Sequence, residues 1–271
     1  IVFDWDNWWA AEYSAGPSKL IDYYKEVFQY YKALNDSNIS VDLVSVTDDY
    51  TDYKLVIAPL LYMCKDGFDE KIRQFVKNGG SFLTTYFSGY VEDHDLVVTG
   101  GYPGRLKDIL GIWVEESDAL PETESNSFVY KGKNYSAGIL CDLLHLQGAE
   151  GLSFYENDFY EGMPVLTRNQ FGKGTAYYVA THSEEAFYKK FLGDICEEIG
   201  IEAVAKTPEG VEGTMRENEK GSFLFLLNHK DGPASVVLEK DGIDLLTEKT
   251  YKAGDRITLE KTGVAIIFTE K

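Results

Sequence analysis

The chain has 271 residues, enough for one large or two ordinary domains, and its 44% hydrophobic and 14% aromatic content can bury a core without staples. Acidic residues outnumber basic ones 45 to 26, and the resulting formal net charge of -19 makes nucleic acid and anionic membrane poor partners. Cys64, Cys141 and Cys196 are odd in number and widely spaced, which argues against a disulfide framework and for a reducing compartment, the cytoplasm; no membrane span or secretory leader is readable.

Ile1-Val2-Phe3 reads as a buried strand met at its first residue, so the chain is expected to be cut from something longer. It runs into Asp4, Trp5, Asp6, Asn7, Trp8 and Trp9, too many rings for a short segment to place in one core. From Ser18 to Leu34, apolar residues at Leu20, Tyr24, Val27, Phe28, Tyr31 and Leu34 recur at helical spacing, with Pro17-Ser18 as the start. Val41 to Val46 alternates, and Tyr53 to Leu61 is a nearly continuous apolar run. Phe68, Ile72, Phe75 and Val76 form a second helical face closed by Gly79-Gly80, and Ser81 to Tyr86 is another buried strand. This order predicts an α/β domain built on an open, mostly parallel, flavodoxin-like sheet with covering helices.

Ser88 to Gly151 reads as a looser stretch. Strands are expected at Met163 to Arg168 and Ala176 to Ala180, flanking the Gly172-Lys173-Gly174 turn, and then a helix capped by Ser183 with core positions Phe187, Phe191, Ile195 and Ile199. Beyond Thr207-Pro208 the pattern turns to period two at Val211 to Arg216, Ser222 to Asn228, Ala234 to Leu238, Arg256 to Leu259 and Val264 to Thr269. The domains are therefore set at 1–205, α/β, and 206–271, small antiparallel β.

Chemistry is hard to locate. Glycoside hydrolysis needs two carboxyl groups about 5 to 10 Å apart, but Glu115-Glu116 reads as a solvated face. Asp93-His94-Asp95 has no second ligand nearby at metal spacing, and His145, His182 and His229 share no motif with a nucleophile. Gly100-Gly101-Tyr102-Pro103-Gly104 lacks dinucleotide spacing and reads as a turn before a helix. Tyr86-Phe87-Ser88-Gly89 follows a strand as a nucleophile elbow would, but with neither cysteine nor Gly-x-Ser-x-Gly. No catalytic, metal or cofactor residue is assigned.

Several long segments resemble family 42 β-galactosidases. They are Phe3-Asp4-Trp5-Asp6-Asn7-Trp8-Trp9-Ala10, the run Tyr53 to Met63, Tyr86-Phe87-Ser88-Gly89, Gly100 to Gly104, and Leu110 to Glu116. Gly148-Ala149-Glu150, Asp158 to Gly162, Gly172 to Tyr178 and Phe225 to His229 continue the likeness in order. The resemblance implies an amidotransferase-like trimerisation domain followed by a small β domain, in enzymes that release terminal β-linked galactose with retention. It also implies that the acid/base and nucleophile glutamates lie in an N-terminal (β/α)₈ barrel of about 250 residues, which this chain has no room for.

The expected role is then assembly: a homotrimer that partners a catalytic barrel and walls a galactoside site at a subunit boundary, inactive alone. Candidates for wall or interface are Trp5, Trp8, Trp9, Tyr86, Glu92, Asp93 and Arg105. Alternatives are a carbohydrate-binding module using the aromatic residues, or a stand-alone amidotransferase-like hydrolase using Ser88, His94 or a carboxylate pair.

Overall fold

The structure, a computed structural model, describes residues 1–14 and 16–271 and is mixed α/β with several sheets and a separate antiparallel β domain. It forms two compact units, residues 1–30 with 43–188, and residues 31–42 with 189–271. In chain order the elements up to residue 198 are α1 (Trp5–Tyr13), α2 (Tyr23–Asn35), β1 (Leu55–Ala58), α3 (Phe68–Lys77), β2 (Ser81–Thr85), α4 (Lys107–Leu110), β3 (Ile112–Ala119), β4 (Asn126–Tyr130), β5 (Lys133–Leu146), β6 (Glu150–Phe154), β7 (Pro164–Phe171), β8 (Gly174–Val179), β9 (Thr181–His182) and α5 (Glu185–Glu198).

The main sheet of the first unit has the order β1-β2-β8-β7-β6, with β1, β2 and β8 parallel and β7 and β6 antiparallel. Val2 extends it beyond β1: its N–H bonds to the Ile57 carbonyl and it bridges Val44 in parallel. The sheet is thus parallel from β1 to β8 and antiparallel beyond, where a mostly parallel sheet was expected. Strand β2 is buried at every position and β1 at its last three, which is why both read as unbroken apolar runs. Helix α3 packs on β2 and β8 through Phe68, Ile72 and Val76, with Asp69 and Glu70 at its positive end and Lys77 at its negative end. Gly174 has to be glycine: a Cβ there would lie 2.1 Å from the Gly80 carbonyl oxygen.

The stretch expected to be loose is instead a second sheet, β3-β5-β4, with β9 pairing β5. Its hairpin turns at Lys131-Gly132, both at positive φ, 48° and 80°, the geometry a tight two-residue turn requires. Two helices also differ from expectation. The Trp-rich cluster, read without an element of its own, forms α1. Helix α2 begins at Tyr23, not at Ser18, because Asp22 caps it: its carboxylate accepts the Lys25 N–H at 2.9 Å. Its buried stripe is Tyr23, Glu26, Val27, Tyr30, Ala33 and Leu34, so the predicted core residues Tyr24 and Phe28 face solvent. The Ser183 hydroxyl donates to the Ser136 carbonyl and does not cap α5.

The second unit has the five strands that the period-two reading expects, β10 (Val211–Glu217), β11 (Gly221–Asn228), β12 (Ala234–Val237), β15 (Arg256–Leu259) and β16 (Val264–Glu270), and two short ones that it does not, β13 (Gly242–Asp244) and β14 (Thr250–Tyr251). They form an antiparallel sheet β10-β11-β16-β13-β14 and a β12-β15 pair. The core gathers Val211, Leu226, Val236, Ile257, Leu259 and Ile267 from alternate positions. Asn38, in the left-handed region at φ 54°, donates to the Ala205 carbonyl and accepts the Gly213 N–H at 2.7 Å.

Candidate functional site

Of the wall or interface candidates, Asp93 and Arg105 meet the start of α1 at one charged junction. Lys65 lies 2.8 Å from Asp4 and 2.7 Å from Asp6, tying down the start of α1. The next residue, Asp66, pairs through its carboxylate with Arg105 and gives its backbone N–H to Asp93 at 2.8 Å. Lys65-Asp66 therefore links the Trp segment to Asp93 and Arg105. Glu92 sits beside them but turns to its own loop, accepting the His94 N–H. Asp93-His94-Asp95 is that loop's tip, and among the described residues no group of three metal-ligating side chains occurs.

Above the junction runs a row of rings. Trp5 stacks on Trp8 at 5.3 Å, Trp8 on Tyr24 at 5.9 Å, and Tyr24 on Phe28 at 6.3 Å, with Trp9 6.2 Å from Trp5. Trp5, Trp9, Tyr24 and Phe28 are each about half exposed. The row follows from α1 and from the rotation of α2 that buries Glu26, so the side chains that look like a helix core from spacing form an apolar surface. A continuous aromatic patch of this kind is unusual on an acidic surface.

The elbow after β2 carries no nucleophile. Phe87 occupies its tip at φ 60°, a conformation costly for a bulky side chain. Its ring stacks on Tyr62 and its N–H bonds to Asp142. Ser88 is fully buried, shares a 2.8 Å hydrogen bond with Thr84 and accepts the Leu61 N–H at 3.0 Å, so its hydroxyl is committed to the fold. A Cβ on Gly89 would lie 2.4 Å from the Pro103 carbonyl oxygen, which ties the elbow to the glycine-rich turn.

Two buried carboxylates were not found in the sequence. Asp142, on β5, accepts from Tyr178 at 2.6 Å and from Ser117; burial pushes its pKa up to about 6 against the pull of those hydrogen bonds. Glu26, on α2, accepts from Tyr188 at 2.9 Å and Tyr86 at 3.2 Å and lies 2.6 Å from His182 Nδ1. Burial, the largest influence on His182, opposes its charge, but the charge and hydrogen bond of Glu26 more than offset it, and the net shift is upward. Tyr86 is thus a buried member of this cluster, set apart from the exposed rings. Only the placement of Glu26 on an otherwise apolar helical stripe could have signalled it. The other histidines each meet a carboxylate at the surface, His94 with Glu92, His145 with Glu115 and His229 with Glu212.

The family profile described as "Beta-galactosidase trimerisation domain" matches residues 1–202, and that described as "Beta-galactosidase C-terminal domain" matches residues 210–267. The β-galactosidase BgaP of Planococcus sp. (strain L4) is 46% identical over 98% of this chain, which covers 40% of that protein. BgaB of Geobacillus sp. (strain Y412MC61) is 39% identical over the same share, again 40% of its own length. The crystal structure of a β-galactosidase from Bacillus circulans sp. alkalophilus superposes with a TM-score of 0.95 at 43% identity, covering 98% of this chain and 40% of that one. The chain spans about two fifths of the length of these relatives. It belongs to the family 42 β-galactosidases, as the trimerisation and C-terminal domains of that family.

Proposed function

We propose that this chain is the non-catalytic assembly part of a retaining β-galactosidase acting on terminal β-D-galactosides, and that it forms a homotrimer in the cytoplasm with the catalytic barrel as its partner. The observation that carries this reading is the exposed aromatic row on α1 and α2. Burying it removes a large apolar area from water at roughly 25 cal/mol per Å², and copies carrying a net charge of -19 need an uncharged patch at which to meet. The Lys65-Asp66 junction holds Asp93 and Arg105 near that row, where they would border a galactoside at a subunit boundary. The run Val44, Val2, β1, β2, β8 has the order 2-1-3-4-5 in sequence, which supports an amidotransferase-like, flavodoxin-like sheet. A boundary near 205/206 is supported by profiles that end at 202 and begin at 210.

Light scattering of the purified chain across a concentration range tests the reading. A mass three times 30.5 kDa is expected. A monomer at every concentration, with heat released on titration with galactan oligomers, would instead favour a carbohydrate-binding module.

A further inference from the structure

The Glu26 cluster forms the floor of a cavity of about 820 Å³ in the first unit, a size typical of small-molecule sites. Tyr86 reaches it from the residue after β2, and His182 from β9, just past the end of β8, so the cavity lies beyond the carboxyl ends of two parallel strands. Open α/β sheets characteristically bind ligands at such a place.

Three features mark this site as built. Glu26 is 2% exposed, and a bare carboxylate at that depth is costly unless held by donors, which Tyr86, Tyr188 and His182 supply. His182 uses Nδ1 for Glu26, while its Nε2 has no hydrogen-bond partner among the described residues and its side chain is 26% exposed into the cavity. On the wall, Ile139 sits at φ 64°, a strained conformation for a β-branched residue, beside a break in the β5–β9 register at Gly138. Thr181 holds that break by bonding both the N–H and the carbonyl of Gly138 at 3.1 Å. Strain and bulges of this kind are retained where a backbone is shaped around a ligand.

The lining names the ligand class. Glu12, whose carboxylate also accepts the Trp8 indole N–H, Glu122 and Glu124 line it with Lys19, Gln29 and the Lys25–Asp22 ion pair, offering acceptors and donors together. A small anion would meet the carboxylates and a strong cation would meet Lys19 and His182. A neutral molecule bearing several hydroxyls, each both donor and acceptor, satisfies both sets. We propose that this cavity binds a neutral polyhydroxylated molecule of monosaccharide size, with the His182 Nε2 and Lys19 as donors and the rim carboxylates as acceptors. The site goes beyond the assembly role and stands whether or not the chain trimerises.

The test follows the four histidine ring signals by NMR in this chain, with His182 assigned through His182→Gln. D-galactose, galactosamine and galactonate, one skeleton in three charge states, are each raised to about 50 mM, a range in which weak sugar sites fill. The expected result is a saturable shift of the His182 signal with galactose alone, weakened about tenfold in Lys19→Ala, as the loss of one hydrogen bond to a charged group predicts. An unmoved His182 signal with galactose overturns the proposal, as does a response confined to galactosamine or galactonate. Should His182→Gln not fold, the Lys19→Ala titration and calorimetry with galactose decide between the same outcomes. Oligomeric mass, measured on the same samples, separates a failure of this site from a failure of assembly.

Discussion

The two units bury polar groups in different ways. In the β unit, Asn228 donates to the carbonyls of Gly232, Leu259 and Glu260, and Asp244 accepts from the Leu246 and Ile266 amides, so buried polarity fixes turns. In the α/β unit, Glu26 and Asp142 bond to side chains drawn from distant segments, Tyr86, His182 and Tyr188 for one, Ser117 and Tyr178 for the other. Turn-fixing needs only backbone amides and carbonyls. Convergence of ionisable groups from several strands costs desolvation and is retained where geometry or binding requires it. The contrast sets the convergent ionisable groups of the α/β unit apart from the turn-holding polar groups of the β unit.

The sharpest way to break that contrast is Glu26→Ala. It leaves His182 and the hydroxyls of Tyr86 and Tyr188 without their acceptor in a buried site, and a loss of roughly 3–5 kcal/mol is expected. All four tryptophans, Trp5, Trp8, Trp9 and Trp113, lie in the α/β unit, so urea unfolding followed by tryptophan fluorescence reads the damage there. An unchanged midpoint would mean that the cluster is not held together by its carboxylate.

Asp142 sharpens the comparison through pH. Its folded pKa, about 6, stands above the ordinary 3.8, so the native state holds this proton more tightly than the unfolded chain does. The associated stability is complete below about pH 3.8 and is lost as pH rises through about 6, a difference on the order of 3 kcal/mol. Asp142→Asn, neutral throughout, is expected to remove this slope between those values in urea midpoints measured against pH. A variant with the same slope as the parent would show that another group carries it.

In the β unit the corresponding change is milder. Asn38→Ala frees the buried Gly213 N–H and Ala205 carbonyl, and about 1–3 kcal/mol is expected from the unmade bonds. Amide exchange at Gly213 is the direct readout, and protection equal to the parent's would argue that water replaces Asn38 without loss.

The legible and illegible parts of the sequence divide along the same lines. Five strands of the β unit could be read because they alternate, while the short β13 and β14, three and two residues long, leave too little pattern to see. β1, β2, β7 and β8 were readable as apolar runs. The β3-β5-β4 sheet was not, since its strands mix exposed acids with buried residues, and only the Lys131-Gly132 turn signalled it. Helix α2 misled because Tyr24 and Phe28 look like core while Glu26 looks like surface; their roles are exchanged by contacts with His182, 156 residues away in sequence. Of the seven wall or interface candidates, six lie on or beside the Lys65-Asp66 junction and the aromatic row, because the elements ending there are adjacent in the sheet. Tyr86 alone belongs to the buried cluster.

The smallest expected effect on stability accompanies the most consequential change in assembly. Trp5 and Trp9 are 57% and 54% exposed and sit on a helix whose start is anchored independently by Lys65 to Asp4 and Asp6. Replacing both by alanine is expected to move the fold by no more than about 0.5 kcal/mol, the range of ordinary surface substitutions. If the row is where copies meet, the same pair removes two central aromatic anchors, the residue type that dominates interface energetics at about 2 kcal/mol or more each. Light scattering at fixed concentration should then show the mass falling toward 30.5 kDa while the urea midpoint holds. A trimer that survives the double change with unaltered dissociation would move the interface elsewhere on the α/β unit and leave the rings for a different partner, and a midpoint that collapses would show that they belong to the core after all.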